Sequence, residues 1–383
     1  MNRRTRGART RTRTRTRGVL AAMAAALLLG ACAGNATPAP PAPPAPAPSA
    51  ASPLPDTAPT PQGLLLTADF AADTVSFVDP ERGTVASVTV GRAPYGAALG
   101  ADGRAWVATA EGVAVVDTRT RVRVALIPYR TGTGPVTDGE YRGGGMGIAL
   151  SPDGAHAYVG VNVPGTTGVL EVLDTARNEV TAVVPVGRRP FDVDVSADGA
   201  EVYVTGHDSF DVTAVAADSL RPRRIEVAPY GTEGGLASWL KPHYAVVRPT
   251  DGQLLLPFEG ERLAVVDPRT GRTRIEPMTA DTHQHGAAVT ADGRLLVVGT
   301  GAVRPADGKG PSLTVRAPDG TERVYPLQGP HEDVAVSRDG RTAYVTGGYT
   351  RDGYWNGITV VDLDTGATRR LAAGARPLGI AVL

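Results

Sequence analysis

The sequence predicts an all-β chain, a seven-bladed β-propeller of four-stranded antiparallel blades closed by its own C-terminal strand. Three observations predict it. Six Asp-Gly pairs, Asp102-Gly103, Asp153-Gly154, Asp198-Gly199, Asp251-Gly252, Asp292-Gly293 and Asp339-Gly340, each lie between two β-rich apolar runs. That is the strongest short-range hairpin signal, because both residues tolerate positive φ. Seven apolar strands end in aspartate or close to it: Val75 to Asp79, Val113 to Asp117, Leu170 to Asp174, Val212 to Asp218, Leu263 to Asp267, Leu313 to Asp319 and Ile358 to Asp362. The counts of six and seven reconcile if the last run, Gly379 to Leu383, pairs with the first strands between Leu64 and Val90. Such closure removes the exposed sheet edges that recruit other chains. The repeat of about 46 residues suits one blade.

The chain divides into three parts before any blade is considered. Residues 1–31 carry eight arginines (Arg3, Arg4, Arg6, Arg9, Arg11, Arg13, Arg15 and Arg17) followed by an apolar run from Val19 to Leu29. This is the pattern of a signal peptide, too short in its apolar part to span a bilayer. It ends Leu29-Gly30-Ala31-Cys32, which resembles a bacterial lipobox and implies that Cys32 becomes the lipid-bearing first residue. The alternative is an ordinary secretory signal with an incidental cysteine. Residues 32–62 are mostly proline and alanine and cannot bury a core, so they are expected to form an extended tether. Residues 63–383 hold the blades. The expected location is therefore outside the cytoplasm, lipid-anchored at the bacterial cell envelope, in the periplasm or on the outer surface.

Composition narrows the partners. Cys32 is the only cysteine, so disulfides and cysteine-ligated clusters are excluded from the mature domain. Of 39 Lys and Arg, eight lie in the leader, leaving 31 against 39 Asp and Glu. That acidic balance argues against nucleic acid and against electrostatic binding to anionic lipid. The expected partners are the membrane, through the lipid at Cys32, and a small molecule, a glycan or a protein on one face of the ring.

Within the blades, valine, isoleucine and alanine alternate so that both faces of each sheet bury against neighbours, and the chain should fold as one unit because a single blade cannot bury both faces. Helical periodicity is nearly absent, with Glu233 to Leu240 the one stretch where a short helical turn fits. The best units run from Phe191 through Tyr203-Val204-Thr205 and from Glu332 through Tyr344-Val345-Thr346. These resemble the bacterial YVTN-type propeller repeat family over essentially all of 63–383. Departures are Tyr158-Val159-Gly160, Trp106-Val107-Ala108 and Val297-Val298-Gly299 at the tripeptide, and an extra residue in Arg248-Pro249-Thr250-Asp251.

The resemblance implies that the loops entering the innermost strands, and those between second and third strands, share one face around a central channel. Aligning the units back from each innermost strand places Tyr95, Met146, Phe191, His243, His285, Glu332 and Leu378 at one equivalent position near the channel mouth. Neighbouring units thus offer His243, His285 and Glu332, with His283 and His331 close by in sequence. Two imidazoles and a carboxylate are a possible ligand set for a divalent transition metal, Zn²⁺ or Cu²⁺. The competing reading is that polar residues before inner strands bond to water and backbone. His283-Gln284-His285 adds little, since alternate strand residues share a face with or without a metal.

Four loops exceed what a blade connection needs: Pro128 to Gly145, Ala228 to Pro242, Ala302 to Pro311, and Gly347 to Asn356 with Tyr349, Tyr354 and Trp355. Long loops are often functional, and an aromatic such as Trp355 either stacks on a ligand or packs the loop onto its own blade. The sequence has no Cys-X-X-Cys-His, no phosphate loop and no Gly-X-Ser-X-Gly elbow. Ser209 beside His207 and Asp208 is adjacent in sequence only, which does not make a triad. The reading is a binding or scaffold module with Tyr95, Phe191, His243, His283, His285, His331, Glu332 and Trp355 as binding candidates. Its rival is a metal-assisted hydrolase or lactonase, or an oxidoreductase like the quinoprotein and haem-d1 propellers that this fold resembles.

Overall fold

The computed structural model describes residues 63–139, 141–227, 241–258, 262–278, 284–301, 310–348 and 354–383. The leader, Cys32, the tether, His283, Tyr349, the stretch Glu233 to Leu240, and most of the loops Ala228 to Pro242 and Ala302 to Pro311 lie outside these residues. Seven four-stranded antiparallel sheets form a ring, and among the described residues there is no helix. In six blades the strands follow chain order from inside to outside, as in Pro190–Val195, Glu201–Gly206, Asp211–Ala216 and Pro222–Glu226. The first blade differs. Its innermost strand is Pro377–Val382, paired antiparallel with Leu65–Asp69 so that Leu65 faces Val382 and Thr67 faces Ile380. Two further bonds, Gly63 N–H to the Leu383 carbonyl (3.0 Å) and Leu383 N–H to Leu64 (2.8 Å), extend the seam. The first blade takes its inner strand from the chain end and so needs no Asp-Gly turn.

The six turns have a different geometry from the expected one. Only the glycine takes positive φ, from 69° at Gly340 to 84° at Gly293, while the aspartate does not. The glycine N–H closes onto the carbonyl three residues back, Gly100, Ser151, Ser196, Thr290 or Ser337, at 2.8 to 3.1 Å. This is a type I turn followed by a left-handed glycine, which adds a bulge and accommodates the strand twist. The aspartate acts through its side chain, which accepts the N–H two residues on, as from Ala155 to Asp153 (3.0 Å). The extra residue at Arg248 to Asp251 widens the turn by one, so Gly252 N–H reaches the Arg248 carbonyl, four residues back.

The strand-ending aspartates have a similar cause. Asp117 accepts N–H bonds from Arg119 and Thr120, both at 2.9 Å, and Asp79, Asp174 and Asp362 do the same at their own turns. An aspartate there caps the turn that starts the fourth strand. Asp218 and Asp319 lie beyond their strands, which end at Ala216 and Arg316; the expected strands overshoot in those two blades.

Between every pair of neighbouring blades lies an apolar core. Trp106 and Val115 of the second blade meet Val159 and Val161 of the third, and Leu65 and Val78 of the first meet Ile358 of the seventh across the closure. Each buried side chain of this size contributes about 1.5–3 kcal/mol. An eighth cluster, Phe70, Ala93, Tyr95, Ala110, Met146, Phe191 and Leu378, gathers side chains from the first four blades where their inner strands begin.

Candidate functional site

All seven residues aligned at the equivalent position, Tyr95, Met146, Phe191, His243, His285, Glu332 and Leu378, are buried, none more than 2% exposed. They meet at the axis. Tyr95 and Phe191 pack edge to face at 5.5 Å between ring centroids, Phe191 and His243 at 5.1 Å, and the imidazoles of His243 and His285 stack at 4.3 Å. His285 Nδ1 is 3.2 Å from Glu332 Oε1. The same oxygen accepts the hydroxyls of Tyr95 (3.3 Å) and Tyr244 (3.1 Å), which carries the contacts back round to the start.

The spacing of the inner strands explains why these side chains can meet. In four of the units the next residue is glycine: Gly96, Gly147, Gly286 and Gly379. A Cβ on Gly286 would lie 2.4 Å from the Asp333 Cα, and one on Gly147 2.5 Å from the Asp192 Cα. The backbones come close enough for bonds between blades, Gly286 N–H to the Glu332 carbonyl (2.8 Å) and Gly379 N–H to Tyr95 (3.1 Å). At two other units an aspartate makes the link. Asp192 accepts the N–H of Ala245 (2.9 Å), and Asp333 that of Ile380 (3.3 Å). Between the inner strands is a cavity of about 190 Å³ lined by Tyr95, Phe191, Tyr244, Asp192, Asp194 and Asp333. Burial raises all three carboxyls, Asp192 to about 6.

His207, Asp208, Tyr244, Arg189 and Lys241 join this centre and were not singled out as site residues from the sequence. His207 Nε2 lies 3.2 Å from His243 Nε2, and its Nδ1 lies 2.9 Å from Asp208. Burial pulls the His207 imidazole down to about 3, against an opposing pull from Asp208, so the ring is neutral near pH 7. Burial alone would push the Asp208 carboxyl up, but His207, Lys241 and Arg189 outweigh it and hold the group well below its ordinary value. Glu332 is likewise held low: His285 and the two tyrosine hydroxyls overcome its burial. Proton positions follow. Neutral His207 donates from Nδ1 to the Asp208 carboxylate, its Nε2 is an acceptor, and His243 donates from Nε2. His207 follows Gly206 at the end of a second strand, so inspecting that position as well as the inner-strand position would have found it.

Other candidates lie elsewhere. His331 points into its own blade, with Nε2 2.7 Å from the Thr359 hydroxyl and Nδ1 2.8 Å from the Gly329 carbonyl. Trp355 packs there too: the Arg370 guanidinium lies 4.4 Å over its ring, and a Cβ on Gly347 or Gly357 would overlap the indole. Ser209 donates to Asp211 (2.7 Å) and takes no part in a triad with His207. The described residues of the loop Pro128 to Gly145 are tied to the blades at several points. Tyr129 donates to the Thr109 carbonyl (2.8 Å), Glu171 accepts the N–H of Thr131 (2.8 Å), and buried Arg142 spans the Ala93 and Gly143 carbonyls. Among the described residues no three His, Cys, Asp or Glu side chains are grouped to enclose a metal ion.

No protein-family model matches the chain, and no curated protein matches it. Solved structures do match in fold. Hydrazine synthase of Kuenenia stuttgartiensis superimposes with a TM-score of 0.58 at 16% identity, over 84% of this chain and 97% of that one. The periplasmic gluconolactonase PpgL of Pseudomonas aeruginosa gives 0.59 at 15% identity over 84% and 99%, and a protein from Lactobacillus plantarum gives 0.59 at 15% over 84% and 100%. At such identity the likeness shows the propeller fold alone, which hosts many unrelated activities.

Proposed function

We propose that this chain is an envelope-anchored lipoprotein of YVTN-repeat type, held by lipid at Cys32, whose propeller acts as a ligand- or protein-binding module. Recognition is assigned to the channel end that carries Tyr95, Phe191, His243, His285 and Glu332. The observation that supports this reading is the mutual engagement of the buried groups: one oxygen of Glu332 serves Tyr95, Tyr244 and His285 together. A polar centre satisfied in this way makes a rigid platform for surrounding loops, as preorganised recognition requires. The anchor is tested by replacing Cys32 with alanine, which should move the protein from the membrane to the soluble fraction and remove the lipid mass. Recognition is tested by screening the purified protein on glycan and peptide arrays and then deleting Gly347 to Asn356. Unchanged affinity for the captured ligand would count against the placement.

A second reading, a metal-assisted hydrolase or lactonase or a quinoprotein-like oxidoreductase, is favoured by one contact. The Nε2 atoms of His207 and His243 face each other at 3.2 Å, a separation at which two ring nitrogens either share a proton or bind one ion. His285 and Glu332 join His243 in that proposal, and Asp208 would orient His207 from behind. A zinc ion there would lower the pKa of bound water and polarise a lactone carbonyl. Stoichiometric zinc or copper in the purified protein, lost on changing His243 and His285 to alanine, would favour the enzyme. Its absence, with no turnover of lactones, leaves the binding module ahead.

A further inference from the structure

Beside His207 the charges do not balance. The Asp208 carboxylate receives two cations, Lys241 Nζ at 2.7 Å and Arg189 at 2.9 Å. Their side chains are 15% and 18% exposed, which is enough to reach a solute while most of the hydration is gone. Among the described residues Asp208 is the one carboxylate bound by either of them, so this group of three carries a net charge of about one positive with His207 neutral.

The two cations are also preorganised. Arg189 sits just before the inner strand Pro190–Val195 at φ 50°, a left-handed conformation that a non-glycine residue holds only where surrounding structure enforces it. Its carbonyl accepts the His207 N–H at 3.0 Å. Its guanidinium carbon lies 3.7 Å over the Tyr141 ring, and Nε, though buried, has no hydrogen-bond partner. Lys241 has two further ammonium protons after Asp208 takes one.

The neighbouring positive charge goes in the same direction. Arg142, next to Tyr141, is 2% exposed and bonds only to carbonyl oxygens, without an ion-pair partner among the described residues. Burial lowers it to about 10, so it remains charged near pH 7. Asn162 ties the two positions by donating to the carbonyls of Tyr141 and Arg142. Arg142 thus adds a cation next in the chain to the ring on which Arg189 stacks, with Asp138 the carboxylate that acts on it among the described residues.

We propose that Arg189 and Lys241, braced by Asp208 and Tyr141, form an anion subsite that takes one carboxylate or phosphate group of a small organic anion. This rests on the reading that the channel end carrying His243, beside which His207 lies, binds ligand, and it adds the ligand's chemical class. The anion accepts from the Lys241 protons that Asp208 does not take and lies beside the Arg189 guanidinium, where a carboxylate offsets the surplus charge of the Arg189, Lys241 and Asp208 group and a phosphate more than offsets it. Asp208 competes with the ligand for the same donors while holding them in place.

The test titrates the purified chain with inorganic phosphate and with acetate by calorimetry, at fixed ionic strength against chloride. The two probes separate a phosphate preference from a carboxylate preference, and saturation by either one supports the subsite. Lys241→Gln should weaken binding about tenfold, the scale of one partly exposed charge contact, and Lys241→Arg should largely restore it. Asp208→Asn should tighten binding, an outcome that a purely structural role for Asp208 would not produce. Failure of both anions to saturate, or a Lys241→Gln protein that binds as the parent does, overturns the subsite. If a neutral glycan or peptide binds this face with affinity unchanged by Lys241→Gln and Asp208→Asn, the subsite falls while the binding module stands.

Discussion

His207 and His243 face each other through their Nε2 atoms at 3.2 Å, and Asp208, 2.9 Å behind His207, decides which ring supplies the proton. With Asp208 ionised, His207 is the Nδ1–H tautomer near pH 7, and its bare Nε2 accepts from the Nε2–H of His243. Long-range nitrogen–proton NMR on ring-labelled protein should show these two patterns. Finding His207 protonated at Nε2 instead would reverse the direction of the contact and remove the ordering role of Asp208.

Stability should fall in acid through the buried imidazoles. Burial takes His207 to about 3 and His331 to about 4, both below the ordinary 6.5. The unfolded chain then binds protons more readily than the folded one, so the contribution is complete above about pH 6.5 and is lost as pH falls toward 4. The melting temperature should drop across that window. Replacing His331 with asparagine should flatten the slope, and an unchanged slope would show that His331 is not a source of it.

Asp69 has the opposite sign. It is fully buried, burial pushes its carboxyl up to about 7, and among the described residues its oxygens accept only hydroxyls, from Thr67 (2.9 Å), Thr74 (3.0 Å) and Ser76 (2.6 Å). Because the folded value lies above the ordinary 3.8, its stabilising contribution is full below about pH 4 and declines as pH rises to about 7. Asp69→Asn should therefore gain on the parent between those limits. Denaturant melts at the two ends of the range measure the difference, and a constant gap would contradict a buried titrating carboxyl.

Gly286→Ala should destabilise by about 1–3 kcal/mol or more, because the new methyl would meet the Asp333 backbone, which cannot yield as a side chain tip would. Gly154→Ala, with open space around it but φ 70°, should lose only about 1–2 kcal/mol from its left-handed backbone. Comparing the two by urea unfolding separates crowding between inner strands from turn strain.

Removing Ile380 to Leu383 should open the ring. The change strips buried Ile380 and Leu383, roughly 3 kcal/mol or more of apolar burial, and bares the edge of Leu65–Asp69. The truncated chain should lose its cooperative melt and associate through that edge. A truncated monomer melting like the parent would mean that the seam contributes little.

The sequence by itself determined the architecture. Asp102-Gly103 and its five counterparts show where strands reverse, Asp117 and its counterparts where third strands stop, and the unmatched tail from Gly379 shows how the ring closes. These are local signals. A left-handed glycine and an aspartate that caps nearby N–H groups act over a few residues, and repetition makes each one legible. The same alignment placed His243, His285 and Glu332 on one level, where they do meet.

Only the tertiary structure decided what stands around them. His207 and Asp208 reach the centre from a second-strand end 36 residues before His243, and Tyr244 finds Glu332 across 88 residues. Arg189 and Lys241 converge on Asp208 from two different blades. His331, adjacent in sequence to Glu332, turns instead into its own blade to meet Thr359. Sequence patterns report the side of the sheet that a residue faces, whereas contacts across a ring axis depend on the distance between blades. Here that distance is set by glycines such as Gly147 and Gly286, which let neighbouring backbones touch and so draw distant polar groups into one buried centre.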